Sequence, residues 1–302
     1  MRILITGSGG FVAGSIIAQA PANHEIHGMG RSKSPENNGS VKYHKVDIVN
    51  ESELVNVLGS INPNVVIHTA AIANIDYCEN NRETAESINY IATKNISAIC
   101  NDINAKLIFC STDTVFDGRK GFYTEEDLPN GVNYYADTKI RAEQAVMAAN
   151  PRNVVARLAL VMGLPLMGKG NSFLADMIEK LGKEEELKFA VNEIRTPIDV
   201  TTLGAALLEL ATSQFQGLIH LAGNTRINRY EMARQIAFFA GFPDKNIMAI
   251  NSKALQGRAP RPDDASLDNS KARTTLQTPM LSLQEGLAIS LGRNNQNIKT
   301  MA

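Results

Sequence analysis

With 302 residues, 44% of them hydrophobic and 20% charged, the chain is long enough for one large globular domain, or for one with a smaller lobe attached. A net charge of −1 excludes the electrostatic footprint of a protein that binds nucleic acid or an acidic membrane. Three scattered cysteines, Cys78, Cys100 and Cys110, exclude a disulfide framework or zinc cluster and fit a reducing, cytoplasmic setting. A membrane span would need a run of about 18 apolar residues, and none is present; the N-terminus opens on a strand pattern rather than a signal peptide.

Strand-like apolar runs alternate with helical spacing along the first half. "RILIT" (2–6) reads as a buried strand, and "FVAGSIIAQA" (11–20) as a helix. Strands follow at 24–30 and 41–47, a helix at 51–60 and a strand at 64–71. A long helix is expected over 81–103, a strand over 106–112, a helix over 135–149 and a strand over 153–163. This order predicts an α/β fold: a Rossmann-type doubly wound parallel sheet, its faces covered by helices. The pattern then loosens through the loop "GLPLMGKGNS", a helix at 172–186, a short strand and capped helix over 195–211, a strand at 217–223 and a helix at 228–241. Residues 1–163 plus about 200–224 are expected to form the Rossmann domain. About 164–200 and 225–302 would form a smaller, discontinuous C-terminal substrate lobe above the carboxyl ends of the sheet, where open α/β sheets bind ligands.

"TGSGGFVAG" (6–14) lies between the first strand and the first helix. Gly7 permits the tight turn, Gly10 a close approach of the backbone to a pyrophosphate, and Ala13 close packing of the helix on the sheet. The backbone of Ser8, Gly10, Phe11 and Val12 would face the phosphates at the helix N-terminus. The second strand ends in "GMGRSKS" without a carboxylate; Arg31, Ser32 and Lys33 suit a 2′-phosphate, favouring NADP over NAD, which stays the alternative. Asp47, ending the third strand, is placed with Ile48 to meet the adenine, or else caps the next turn, and Thr69, Ala70 and Ala71, at the end of the fourth strand, are placed to line the cofactor cleft.

"CSTDTVFDG" (110–118) and "YYADTK" (134–139) fall at the same sheet edge as the glycine loop. Tyr135, not Tyr134, shares a helical face with Lys139. Together with "TGSGGFVA", "VVIHTAA" and "RPDDASLDNSK" (261–271), these motifs give a chain that resembles the extended short-chain dehydrogenase/reductases, and within them the dTDP-4-dehydrorhamnose reductase group. The resemblance spans nearly the whole chain. It implies that Tyr135 protonates a substrate carbonyl oxygen as hydride reaches the carbon. It further implies that Lys139 lowers the tyrosine pKa and bonds the nicotinamide ribose, that Thr112 holds the carbonyl oxygen, and that Asp113 adds a carboxylate at the pocket. Thr114 stands where the rhamnose reductases usually carry tyrosine, and "LALVMG" (158–163) replaces their Ser-Trp-Val-Tyr-Gly, so the sugar is not specified. Arg195 and Arg261 are substrate-binding candidates, with Arg258 and Asp263 in the same stretch as Arg261 suited either to a nucleotide diphosphate or to a surface salt bridge. Asn192 and Glu193 are further candidates for the pocket lining.

The expected activity is NADPH-dependent reduction of a keto group on a nucleotide-linked sugar. The alternatives are an NAD(P)-dependent sugar-nucleotide epimerase or dehydratase, and a nucleotide-binding regulatory subunit of another enzyme. A homodimer is implied by resemblance alone. Asn89 is expected to order water near Lys139 or to face solvent. His68 is read as a core histidine, and the run Glu184–Glu186 as a solvated helix end rather than a metal site.

Overall fold

A computed structural model describes residues 1–31, 41–168 and 170–292. Its centre is a seven-stranded, all-parallel sheet made by β1 (Arg2–Thr6), β2 (Glu25–Gly30), β3 (Val41–Lys45), β4 (Val65–His68), β5 (Lys106–Thr112), β6 (Val154–Leu158) and a later strand, Gly217–Leu221. The spatial order, Gly217–Leu221 then β6-β5-β4-β1-β2-β3, reverses direction between β4 and β1. That switch point opens a crevice beyond the strand carboxyl ends.

The strands read as continuous apolar runs because both faces of the sheet are covered. Ile3, Ile5, Ile67, Ile108 and Ala156 point into one apolar cluster, with Ala13, Ile16, Leu203 and Leu207. Leu4, Val66, Leu107, Phe109 and Val155 point into the other, with Leu54, Leu58, Ile96, Ala142 and Val146. The period-2 alternation of side chains thus builds two cores from one strand set. Each fully buried Ile or Leu contributes roughly 1.5–3 kcal/mol. The first face is covered by α1 (Phe11–Gln19) and the helix Val200–Thr212. The second is covered by α2 (Glu51–Ile61), the helix over 82–102 and the helix Tyr134–Ala149. A Cβ on Gly204 would lie 2.7 Å from Ser15 Oγ, so glycine is what lets the two first-face helices approach this closely.

The strand expected over 64–71 ends at His68, where the backbone turns away to form the crevice wall. The strand expected over 153–163 breaks after Leu158, and Val161–Met162 pairs instead with Ile198–Asp199. The long helix contains a π-turn, Glu86–Ile91, and is preceded by a separate α3, Ile75–Asn80. A third apolar cluster, built on Leu174, Met177, Leu181, Met232, Ile236, Leu283 and Leu287, unites the helices Phe173–Gly182, Arg229–Ala240 and Leu283–Ser290. It is flanked by the parallel pair Leu187–Ala190 and Ile247–Ile250 and by the antiparallel pair Ile194–Arg195 and Ile227–Asn228. Glu184–Glu186 lie exposed after the first of these helices, and no metal-binding group of His, Cys, Asp and Glu occurs among the described residues. No helix among them is long and apolar enough to cross a membrane.

Candidate active site

The glycine loop makes a tight turn, with the Gly10 N–H donating to the Gly7 carbonyl at 2.7 Å. Gly7 sits at φ +67°, and a Cβ there would lie 2.9 Å from Ala70 Cα, so neither the conformation nor the space admits a side chain. Gly10 caps α1 without a side-chain acceptor, and the first turn holds no acid. By contrast, Asn50, Asn133, Ser172, Asp199, Asn228 and Ser282 each cap their helices through a side-chain oxygen. The amides opening α1, beginning at Phe11, are therefore free for an external anion. A cleft of about 290 Å³ here is lined by Gly7, Gly10, Arg31, Asp47, Ile48, Thr69, Ala70 and Ala71. Ser8 is buried behind it, its amide donating to the Met29 carbonyl at 3.2 Å. Ser32 and Lys33 lie outside the described residues.

A larger cavity of about 650 Å³ shares Thr69 and Ala71 with this cleft and takes Val12 into its wall. Thr112, Asp113, Thr114, Tyr135 and Lys139 all line it. Thr112 ends β5, and Asp113 and Thr114 open a 3-10 turn; Tyr135 lies in the first turn of the helix Tyr134–Ala149, which Asn133 caps. Thr112 stands beside Tyr135 in this wall, and the nearness of its hydroxyl draws the phenol pKa down. Thr112 Oγ1 also lies 3.2 Å from Asp113 Oδ1 and 3.1 Å from Thr114 Oγ1, so a buried relay of hydroxyls leads to a carboxyl group. Burial raises the Asp113 pKa despite Arg195, whose Nε lies 3.5 Å from Oδ2.

Lys139 is buried one turn beyond Tyr135, with Nζ donating to the Cys110 carbonyl at 2.6 Å and lying 4.0 Å from the centre of the Phe109 ring. Burial brings its pKa down to about 8. Burial likewise pushes the Tyr135 phenol above its ordinary value, opposed by the nearby Thr112 hydroxyl and reinforced by Asp113. Burial thus dominates both groups. Tyr135 is held protonated.

Arg195 and Arg261 reach the cavity wall, but both are engaged by carboxylates. Arg195 meets Asp113. Arg261 grips Asp76 through two nitrogens at 2.6 and 2.7 Å, while the Ala259 amide adds a third bond to the same carboxylate at 2.8 Å. Arg258 pairs with Glu193 at 2.5 Å, and Asn192 donates to Asp263 at 2.9 Å. The 258–263 stretch thus forms a clasped wall, closer to the salt-bridge reading than to the diphosphate reading. Asn89 is buried rather than facing solvent. From the π-turn its amide bonds the N–H of Ile72 at 2.8 Å and the carbonyl of Ile72 at 3.1 Å, pinning the segment that separates the two cavities. His68 is the core histidine expected: Thr6 and Thr93 hydroxyls meet its two ring nitrogens at 2.6 and 3.0 Å.

Sequence reading missed Asp76, whose partner is remote in the chain, and Arg229. Arg229 does leave a signal: a cation at the first position of a helix, "NRYEMARQ", where the dipole disfavours it.

A nucleotide-binding parallel sheet with a buried threonine–tyrosine–lysine constellation at its carboxyl edge defines the chain as a short-chain dehydrogenase/reductase-like protein. Residues 1–295 match the model of the RmlD substrate binding domain, and the chain belongs to that family. A dTDP-4-dehydrorhamnose reductase of Mycolicibacterium smegmatis is 29% identical over 95% of this chain and 84% of its own length. Methionine adenosyltransferase 2 subunit beta of Bos taurus is 29% identical over 90% of this chain and 82% of its own length. The crystal structure of a hypothetical dTDP-4-dehydrorhamnose reductase from Sulfolobus tokodaii superposes with a TM-score of 0.83 at 30% identity, covering 95% of this chain and 99% of that one. At the level of the family, the chain is sugar-nucleotide-reductase-like.

Proposed function

We propose that the chain is an NADPH-dependent reductase of a keto group on a nucleotide-linked sugar. The observation that carries this reading is that Thr112, Tyr135 and Lys139 line one cavity, which shares Thr69 and Ala71 with the glycine-loop cleft. The free amides of α1, with the close approach of Gly7 to Ala70, fit a dinucleotide pyrophosphate, and Arg31 fits the 2′-phosphate that separates NADP from NAD. When bound, the nicotinamide supplies hydride.

Tyr135 gives its proton to the substrate oxygen as the carbonyl carbon is reduced, leaving an alcohol and a tyrosinate. Thr112 holds the same oxygen from the other side, so that it is presented to the phenol. A raised phenol pKa keeps the donor loaded at neutral pH, and the cost of forming tyrosinate falls to Lys139. With a pKa near 8 that side chain is mostly cationic at pH 7, and its charge stabilises the anion that Tyr135 becomes. Thr114 and Arg195 contribute to the substrate wall, with Arg261 clasping it from the C-terminal stretch.

The test follows NADPH absorbance with a panel of 4-keto nucleotide sugars, using Tyr135→Phe as control. Turnover that depends on Tyr135 supports the reading; no turnover with any sugar, or undiminished turnover in the variant, defeats it. The relative carrying the name of a methionine adenosyltransferase subunit favours a second reading, in which the chain binds the nucleotide as a subunit of another enzyme. Stable co-purification with such a partner, together with an absence of turnover, would favour that reading.

A further inference from the structure

Tyr135, Lys139 and Glu143 follow one another at four-residue spacing on the helix Tyr134–Ala149, so they share one face of it, and all three are buried. The face is tied to β5 and β6. Lys139 Nζ donates to the Cys110 carbonyl at 2.6 Å, and the next residue of the same strand, Ser111, donates through Oγ to Glu143 at 2.5 Å. Ser111 is the register partner of Arg157 on β6, and the Arg157 guanidinium meets the same carboxylate through Nε at 3.1 Å and Nη2 at 2.8 Å. Lysine and glutamate are thus moored to consecutive residues of one strand, one helical turn apart.

Stability does not account for this arrangement. A buried ion pair is commonly no more stabilising than apolar side chains of the same volume, because both charges are taken out of water. The layer around it is apolar, with Phe109, Ala142, Val146 and Val155. What the pair does supply is a fixed negative charge near a buried ammonium. Burial lowers the Lys139 pKa, while Cys110 and Glu143 act against that. Cys110 is itself buried and pushed up to about 12, so it stays a neutral thiol where the lysine titrates, and Glu143 is left as the carboxylate that favours the cation. The other titratable groups around Lys139 supply no such charge. Tyr135 on its own helix is held protonated, His68 on β4 is held neutral, and Asp113 beyond β5 is paired with Arg195. Arg157 on β6 is engaged by Glu143.

We infer that Glu143 is a positioning residue of the reaction: moored to Ser111 and Arg157, it holds the helix face that carries Lys139 against β5 and keeps a negative charge one turn from the ammonium that serves Tyr135. This deepens the reductase reading and rests on the role that reading gives Lys139. The state of the lysine is measurable without turnover, so the two fail separately.

NMR of the chain isotope-labelled at lysine Cε follows the titration, with the Lys139 signal assigned by its loss in Lys139→Met. Glu143→Gln keeps an acceptor for Ser111 and Arg157 but removes the charge, and should move the Lys139 titration to lower pH. Glu143→Asp, which restores a charge, should titrate closer to wild type. In NADPH-dependent turnover, Glu143→Gln should lower kcat roughly 3- to 10-fold at pH 8 and leave kcat at pH 6 and the sugar KM near wild type. The double variant Glu143→Leu, Arg157→Met fills the space with apolar volume and should displace the titration in the same direction. It carries the comparison if thermal unfolding finds that Glu143→Gln does not fold. A lysine titration at the wild-type pH in these variants overturns the inference. So does a loss of kcat by one factor at every pH, the mark of a merely structural role. A displaced titration in a chain that reduces no keto sugar defeats the reductase reading and leaves the link from Glu143 to Lys139 in place.

Discussion

Tyr135 and Thr112 line the same wall of the cavity, although the two residues come from different elements. One ends a sheet strand and the other opens a helix, so each is held by regular structure rather than by loop. Positioning of this kind is what proton transfer requires before any question of pKa arises. Tyr135→Phe removes the donor without changing the ring. Keto-sugar reduction should fall by roughly 10²- to 10⁴-fold, with stability altered by no more than about 1 kcal/mol. Thr112→Val should lower kcat less than Tyr135→Phe. Steady-state kinetics with matched thermal melts checks both; a Tyr135→Phe enzyme with wild-type kcat would remove the proposed donor.

Much of this site is legible in the sequence because its parts are tied to local rules. Strands buried on both faces must be apolar throughout, so β1, β4, β5 and β6 stand out, and a glycine loop after an opening strand has few other readings. Tyr135 and Lys139 follow from helical spacing. What stays hidden is set by contacts distant in sequence. The Arg261–Asp76 clasp joins a C-terminal stretch to α3, and no local pattern marks it. Asn89 is polar in a helix that is mostly half-exposed, and only the π-turn directs it to Ile72. The strands Leu187–Ala190 and Ile247–Ile250 are short and only partly buried, too weak in period to be distinguished from loop.

Behind Lys139 a buried ion pair joins Glu143 to Arg157, with a shortest contact of 2.8 Å and Ser111 donating to the same carboxylate at 2.5 Å. Both charges are nearly inaccessible to water. Glu143→Ala would leave the Arg157 guanidinium buried with no carboxylate partner. The expected cost is about 3–5 kcal/mol, whereas the double replacement Glu143→Leu, Arg157→Met should recover most of it. Urea denaturation of wild type and the two variants measures both effects. A double variant no more stable than Glu143→Ala would show that the pair, not the uncompensated charge, accounts for the loss.

His68 and His220 are buried and held neutral, with pKa values brought down to about 3 by burial and, respectively, by the Lys139 and Arg157 charges. The unfolded chain protonates both near pH 6.5, so between about pH 6.5 and 3 it binds more protons than the folded chain. Stability should therefore fall as pH drops through that window, by about 2 kcal/mol per histidine at pH 5. His68→Gln keeps a polar group between Thr6 and Thr93 but cannot titrate. Its stability loss between pH 7 and pH 5, read by denaturant melts, should be smaller than that of wild type. Equal losses would mean that His68 is not held neutral by the fold.

Lys139 gives a pH dependence of the same sign at the alkaline end. Its folded pKa, about 8, lies below the ordinary value of a lysine because the charged form is desolvated. Between that value and about 10.4 the unfolded chain carries a proton that the folded chain has released. Stability contributed by this group therefore rises with pH across the window, as the penalty for burying the charge disappears, and is flat below it. Lys139→Met should abolish that rise and, by removing one of the influences that hold His68 neutral, should also soften the acid limb. Activity should move the other way. As pH climbs through about 8 the cation that stabilises the tyrosinate is lost, so kcat should fall on the alkaline side while the fold becomes more stable. Parallel profiles of kcat and of denaturation midpoint from pH 6 to 10 test the coupling. If both rise together through pH 8, Lys139 is not the group whose charge supports the chemistry.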